Sequence, residues 1–189
     1  VCQADILSDS KVFEHGEIRC TLYELLHWMI IESDNTATNV LIKAFTFDKI
    51  NAYIKDQLQC SATSLQRYML DSEAVKNGFN NYTSQAEMCH IFTKLFHKEL
   101  LTPELCEIAI EILHRQRYQD LALRYVYEPV RYAHKTGNLE HYNHDVGVMS
   151  ICDKHYYVGI SVYDSPNKKG NKPLMGTLGK LAYEYLKQK

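Results

Sequence analysis

Residues 131–163 read RYAHKTGNLEHYNHDVGVMSICDKHYYVGISVY, and this stretch decides the fold class. Within it, Arg131 to Thr136, Asp145 to Cys152 and His155 to Tyr163 are rich in Val, Ile and Tyr, with turn residues between them. Such side chains suit a pleated, half-buried surface, so three strands are predicted. The last two are close enough in sequence to form an antiparallel hairpin across Asp153-Lys154.

Outward from the strands the pattern is helical. Downstream, a closing helix is expected from about Pro173 to Leu186. Upstream, Thr21-Leu-Tyr-Glu24 is a capping box, in which the threonine hydroxyl accepts from the third helical N–H and the glutamate reaches back. Leu22, Leu25, Leu26, Met29 and Ile30 follow at helical spacing, and the helix is expected to stop near Glu32. A second run carries Val40, Leu41 and Ala44, and Asp48 is expected to cap a third helix through about Leu58. Ser84-Gln-Ala-Glu87 repeats the capping box. Thr102-Pro103-Glu104 places proline in a first turn, where its missing N–H costs nothing, and that helix is expected to reach about His114. Helices followed by antiparallel strands and a closing helix make an α+β fold. We read one domain over 1–189, mostly helical over 20–128, with sheet and closing helix over 129–189.

Composition narrows the function. The 189 residues are 46% hydrophobic and 23% charged, which is globular. A formal net charge of −2 argues against a nucleic-acid partner, which draws a basic excess. Lys168-Lys169 beside Gly170 reads as a solvated turn. The densest apolar stretch, Leu25 to Ile31, is interrupted by His27 and is far short of the roughly 20 residues of a membrane span. The chain opens at Val1 rather than Met and shows no signal peptide, so it reads as a processed product or a piece of something longer. Cys2, Cys20, Cys60, Cys89, Cys106 and Cys152 include no CxxC pair and are expected to be free thiols, which leans toward a reducing compartment.

Three features carry chemistry: Ser33-Asp34-Asn35 at a helix–helix junction, His134-Lys135-Thr136-Gly137 at a strand end, and the polar loop from Arg67 to Asn81. Here the sequence resembles the class A β-lactamases and penicillin-binding proteins, whose signature motifs include SDN and KTG. The likeness runs from about residue 20 to the C-terminus. Leu65-Gln-Arg-Tyr-Met-Leu-Asp71 looks most like the β-lactamase-related serine hydrolases of Gram-positive bacteria.

The resemblance implies acyl transfer on a β-lactam or a related amide or ester, with no cofactor and no metal. Ser33 would relay a proton to the leaving nitrogen, and Lys135 would keep the site electropositive. Asn35 would hydrogen-bond the substrate's amide side chain, while Lys135 and Thr136 would hold its carboxylate through charge-assisted contacts. Gly137 would let the ligand approach the strand, and the Asn138 backbone N–H would form part of the oxyanion hole. A β-lactam or peptidoglycan-like molecule is the implied substrate. Members of that family act mostly outside the cytoplasmic membrane.

Two departures qualify the likeness. The family's nucleophile lies in a Ser-x-x-Lys motif further upstream of SDN than this sequence extends. Ser8-Asp-Ser-Lys11 and Ser165-Pro-Asn-Lys168 fit by letter, but both sit in turn-like sequence. The family's N-terminal helix and first two strands are also expected to be missing. Where resistance enzymes place a deacylating glutamate, two residues past the arginine matching Arg67, this chain has Met69; Asp71 and Glu73 do not match by position. The 189 residues alone are therefore expected to be inactive, and to need an N-terminal fragment or to self-associate. The alternative is a degenerate, non-catalytic module that binds β-lactam or peptidoglycan.

Plainer readings stand beside these. Ser33 is also a common helix N-cap type, and Lys135 reads equally as a surface strand lysine. His141, His144 and Asp145 are too few for a metal site. Asn81-Tyr-Thr83 fits a glycosylation sequon by chance frequency. Gly176-Thr-Leu-Gly179-Lys180 is like a phosphate loop in spelling only and falls inside a helical pattern.

Overall fold

A computed structural model describes residues 1–139, 141–163 and 171–189. Ser165 to Lys168, with Lys169 and Gly170, lie outside the described residues. The fold is α+β: seven α-helices and a three-stranded antiparallel sheet among those residues. The chain divides into two compact units, Val1–Glu87 and Met88–Lys189.

The first unit is helical. Thr21 caps α1 (Leu22–His27) as read from sequence, with its backbone N–H donating to Glu24 at 2.7 Å and its hydroxyl accepting from the Glu24 N–H at 3.2 Å. The helix then widens into one π-helical turn, Trp28–Glu32, before α2 (Asn35–Phe45). In α3 (Phe47–Asp56) the expected cap is displaced: Thr46 occupies the cap position and Asp48 lies inside the first turn. Phe13, Leu25, Ala37 and Leu41 form the core, and Trp28 meets Phe13 edge-on at 5.3 Å. The Arg67–Asn81 segment contains a short helix, α4 (Ser72–Lys76), capped by Asp71.

Helix α5 (Gln85–Phe96) crosses the boundary between the units. The Ser84 hydroxyl accepts from the Glu87 N–H, while the Glu87 carboxylate takes the Ala62 N–H and the Thr63 hydroxyl. In the second unit, α6 (Pro103–His114) starts at Thr102 as expected. The strands are β1 (Arg131–Asn138), β2 (Tyr142–Ile151) and β3 (Lys154–Tyr163), in the order β1-β2-β3. Both β1 and β2 run further toward their shared turn than the sequence pattern suggested, because Gly137, Asn138 and Asn143 pair through the backbone whatever their strand propensity. The hairpin turn sits one residue earlier than expected, at Cys152-Asp153. Both have positive φ (49° and 61°), as a tight two-residue hairpin requires, and Lys154 pairs with Ile151.

Helix α7 (Asn171–Leu186) covers the sheet face carrying Tyr132, Met149, Val158 and Ile160. The Gly176 and Gly179 of the loop-like spelling lie within this helix. A Cβ on Gly179 would overlap the Ala122 carbonyl, so this glycine serves close packing. All six cysteines are free thiols, and no described helix is long and apolar enough to cross a membrane.

Candidate functional site

In the first unit, Ser33 ends the π-helical turn in a left-handed conformation (φ 52°, ψ 36°). For a residue with a Cβ this costs about 1 kcal/mol, and such strain persists where surrounding contacts over-determine it. The next residue, not Ser33, caps α2. Asp34 is buried, and its carboxylate accepts from the Ala37 N–H at 2.8 Å and from the Ser10 hydroxyl at 2.6 Å. The plain N-cap reading of Ser33 is thereby overturned: Asp34 does that work, with extended backbone dihedrals.

The residues after Ser33 hold the loops around it. The Asn35 amide donates to Asp9 at 2.7 Å, and the Thr36 hydroxyl accepts from the Leu7 N–H at 2.9 Å. Ser8-Asp-Ser-Lys11 is thus a turn segment tied to the SDN strand of contacts rather than a helix start, which fits its reading from sequence. Asn39 brackets Met69 with two hydrogen bonds, from the Met69 N–H at 2.7 Å and to its carbonyl at 3.2 Å. The same loop is closed by Asn81, which accepts from the Gln66 and Arg67 N–H groups, and by Arg67, which donates to Asn80 at 3.0 Å. Met69 therefore sits on a fixed backbone, next to Leu70 with positive φ.

In the second unit, KTG lies on β1, an edge strand of the sheet among the described residues. The pleat divides it: His134 and Thr136 face one side, Lys135 and Gly137 the other. Lys135 is partly buried and donates to the Thr136 carbonyl at 2.6 Å. Burial pushes its pKa down to about 8, against a smaller upward pull from Asp145. Asn138, at the strand end, accepts from the Asn143 amide at 2.8 Å.

Behind KTG lies a buried pair not anticipated from sequence. His134 Nδ1 meets Asp145 at 2.7 Å with both side chains fully enclosed; the other Asp145 oxygen accepts from the Ala122 N–H at 3.1 Å. Tyr132 stacks on His134 at 4.3 Å. A signal was present in the register: Thr136 opposes Asp145, so His134 lies one diagonal step from it on the same face. The pleat also separates His144 from Asp145 onto opposite faces, and no group of three metal-ligating side chains occurs among the described residues.

A profile described as the β-lactamase enzyme family matches residues 1–186, so the similarity begins at the first residue rather than near residue 20. Three solved structures illustrate the likeness. A β-lactamase from Sphaerobacter thermophilus is 25% identical, with a TM-score of 0.86 over 98% of this chain and 71% of that one. A class A β-lactamase from Bacteroides cellulosilyticus is 20% identical, with a TM-score of 0.88 over 100% of this chain and 74% of that one. A protein described as PBP-A is 20% identical, with a TM-score of 0.87 over 100% of this chain and 70% of that one. No curated protein matches the sequence.

Proposed function

This chain belongs to the β-lactamase enzyme family, and we propose that it forms the SDN- and KTG-bearing part of a serine hydrolase that transfers the acyl group of a β-lactam or peptidoglycan-like amide. In this reaction a serine hydroxyl adds to the amide carbonyl. The C–N bond then breaks and a proton passes to the leaving nitrogen. Ser33 relays that proton, and the Lys135 ammonium stabilises the negative charge that develops. Asn35 holds the substrate's amide side chain, Lys135 and Thr136 hold its carboxylate from the two faces of the β1 edge, Gly137 gives the ligand access, and the Asn138 N–H helps bind the oxyanion. The nucleophile belongs to a Ser-x-x-Lys motif outside these 189 residues. Family members usually act outside the cytoplasmic membrane, and we extend that to this protein.

The observation that carries the reading is Lys135: a partly buried ammonium, on an edge strand, within a family match that spans both motifs. Strain at Ser33, whose neighbour rather than itself caps the helix, supports a role beyond folding for its hydroxyl. With Met69 in the deacylation loop, the acyl-enzyme is expected to accumulate, as in penicillin-binding proteins.

The test is to read the coding sequence upstream of Val1, express the gene product and expose it to a fluorescent penicillin. A labelled serine in an upstream Ser-x-x-Lys, lost or slowed at least tenfold in Ser33→Ala and Lys135→Ala, is expected. An intact, folded gene product that takes up no label overturns the enzyme reading in favour of a non-catalytic binding module. The 189 residues by themselves are expected to self-associate. Leu174, Leu178, Leu181 and Tyr185 recur at helical spacing on α7 and are exposed, and β3 is a second sheet edge among the described residues. A monodisperse monomer by light scattering would refute that expectation.

A further inference from the structure

Asp145, in the buried pair behind KTG, is fully enclosed, and both its oxygens are engaged, one by His134 Nδ1 at 2.7 Å and the other by the Ala122 N–H at 3.1 Å. His134 is the sole ion-pair partner of Asp145 among the described residues. The ring is seated by Tyr132, stacked on it, and by Gly147, which opposes it on β2: a Cβ there would lie 2.5 Å from the His134 Cβ. With its proton on Nδ1, the imidazole orients the carboxylate without cancelling its charge. A buried negative charge is costly unless a cation lies within range. Thr136 is the residue that Asp145 opposes in register, and the Lys135 side chain bends along the strand to the Thr136 carbonyl at 2.6 Å. The ammonium is thereby brought to the same strand position that the carboxylate faces, where burial weakens screening.

We propose that Asp145 is a positioning residue whose charge, acting through strand β1, keeps the Lys135 side chain in its ammonium form, with His134 neutral and serving to orient the carboxylate. The inference rests on the acyl-transfer reading above, in which Lys135 acts as a cation, and adds the group that sustains its charge. The titratable groups on the elements packed against β1 are Tyr142, His144 and Asp145 on β2, and Glu104, Cys106, Glu107, Glu111 and His114 on α6. Of these, Asp145 acts on the Lys135 charge, opposing the desolvation that draws the lysine's pKa down to about 8. The reach of this carboxylate shows a second time at Tyr132, whose phenol is raised well above its ordinary value by burial and then further by Asp145. Removing the negative charge should therefore make Lys135 lose its proton at lower pH.

The test follows the Lys135 side chain by NMR in the gene product used for penicillin labelling, its signal identified by its loss in Lys135→Met. Asp145→Asn removes the charge yet can satisfy the same neighbours: the amide oxygen accepts from Ala122, and the amide N–H donates to His134 in its other tautomer. In this variant the Lys135 midpoint should fall by about one pH unit, a tenfold loss of proton affinity, the scale of one buried charge felt at several ångströms. The alkaline limb of penicillin labelling should fall with it. His134→Asn, which retains an N–H donor and leaves Asp145 charged, should leave the midpoint in place. In the unmodified protein the His134 nitrogens should show a neutral ring with its proton on Nδ1. An imidazolium at neutral pH would cancel the carboxylate and overturn the inference without any substitution. An unmoved Lys135 midpoint in folded Asp145→Asn also overturns it, Asp145 then being a brace alone, and leaves the acyl-transfer reading untouched. A shifted midpoint in a protein that takes up no penicillin upholds the coupling and removes that reading instead.

Discussion

The two motif-bearing regions are held in place by different kinds of bond. Around Ser33 the backbone is irregular: a π-helical turn, a left-handed serine and loops tied down by the side chains of Asp34, Asn35, Asn39 and Asn81. Around Lys135 the backbone is a regular ladder, to which side chains add a buried brace, His134 with Asp145, and a bond from Asn143 to Asn138 at the strand end. A ladder fixes each residue through its neighbours' N–H and C=O groups, so it tolerates most side-chain changes that keep the pleat. A loop held by single amides does not. Polar asparagines in the first region therefore carry structural weight that only buried residues carry in the second.

The sharpest test of this contrast is Asp145→Ala, which strips two buried donors of their acceptor. It should destabilise the protein by about 3–5 kcal/mol in urea unfolding, the scale for leaving two buried hydrogen-bonding groups without their partner. Asn39→Ala should cost about 2 kcal/mol, with the Met69 amide losing hydrogen-exchange protection well before the strands do. If Asn39→Ala proved the more damaging, the loop region would be the true framework and the contrast would be reversed. Asp34→Asn keeps a capping oxygen but weakens the bond from Ser10, and about 1 kcal/mol is expected.

The change expected from Lys135 is read as a slope with pH, at most about 1.4 kcal/mol per pH unit. Its folded pKa is depressed, to about 8 from 10.5, so between those values the unfolded chain binds more protons. Stability should therefore rise with pH across that window, and the rise should be absent in Lys135→Met. Substrate binding should move the other way, weakening as pH climbs through about 8 and the ammonium is lost. A flat stability profile in the unmodified chain would mean that Lys135 is solvated like an ordinary surface lysine.

Much of the architecture was legible beforehand because it is written in local pattern. The capping box at Thr21, the serine cap at Ser84 (whose glutamate turns to Ala62 and Thr63 instead), the proline at the head of α6 and the strand pattern after residue 130 all depend on residues within a few positions of one another. The misses were at junctions. Thr46 displaced Asp48 as the start of α3, the hairpin turned at Cys152-Asp153, and Asp34 rather than Ser33 capped α2. Each depends on backbone geometry that competing neighbours decide, and propensity separates such neighbours by less than the tertiary contacts do. Asn39 lies four residues past Asn35, but its bond to Met69 spans 30 positions and no local pattern announces it.

By itself the sequence determined the α+β class, the helix and strand order and the motif residues, since periodicity and signature spacing are one-dimensional properties. Tertiary structure alone decided that His134 closes on Asp145 and that His144 packs against Gly137. Those outcomes follow from strand register, in which a shift of one residue would exchange every face, and register is set by pairing between segments that the sequence presents apart.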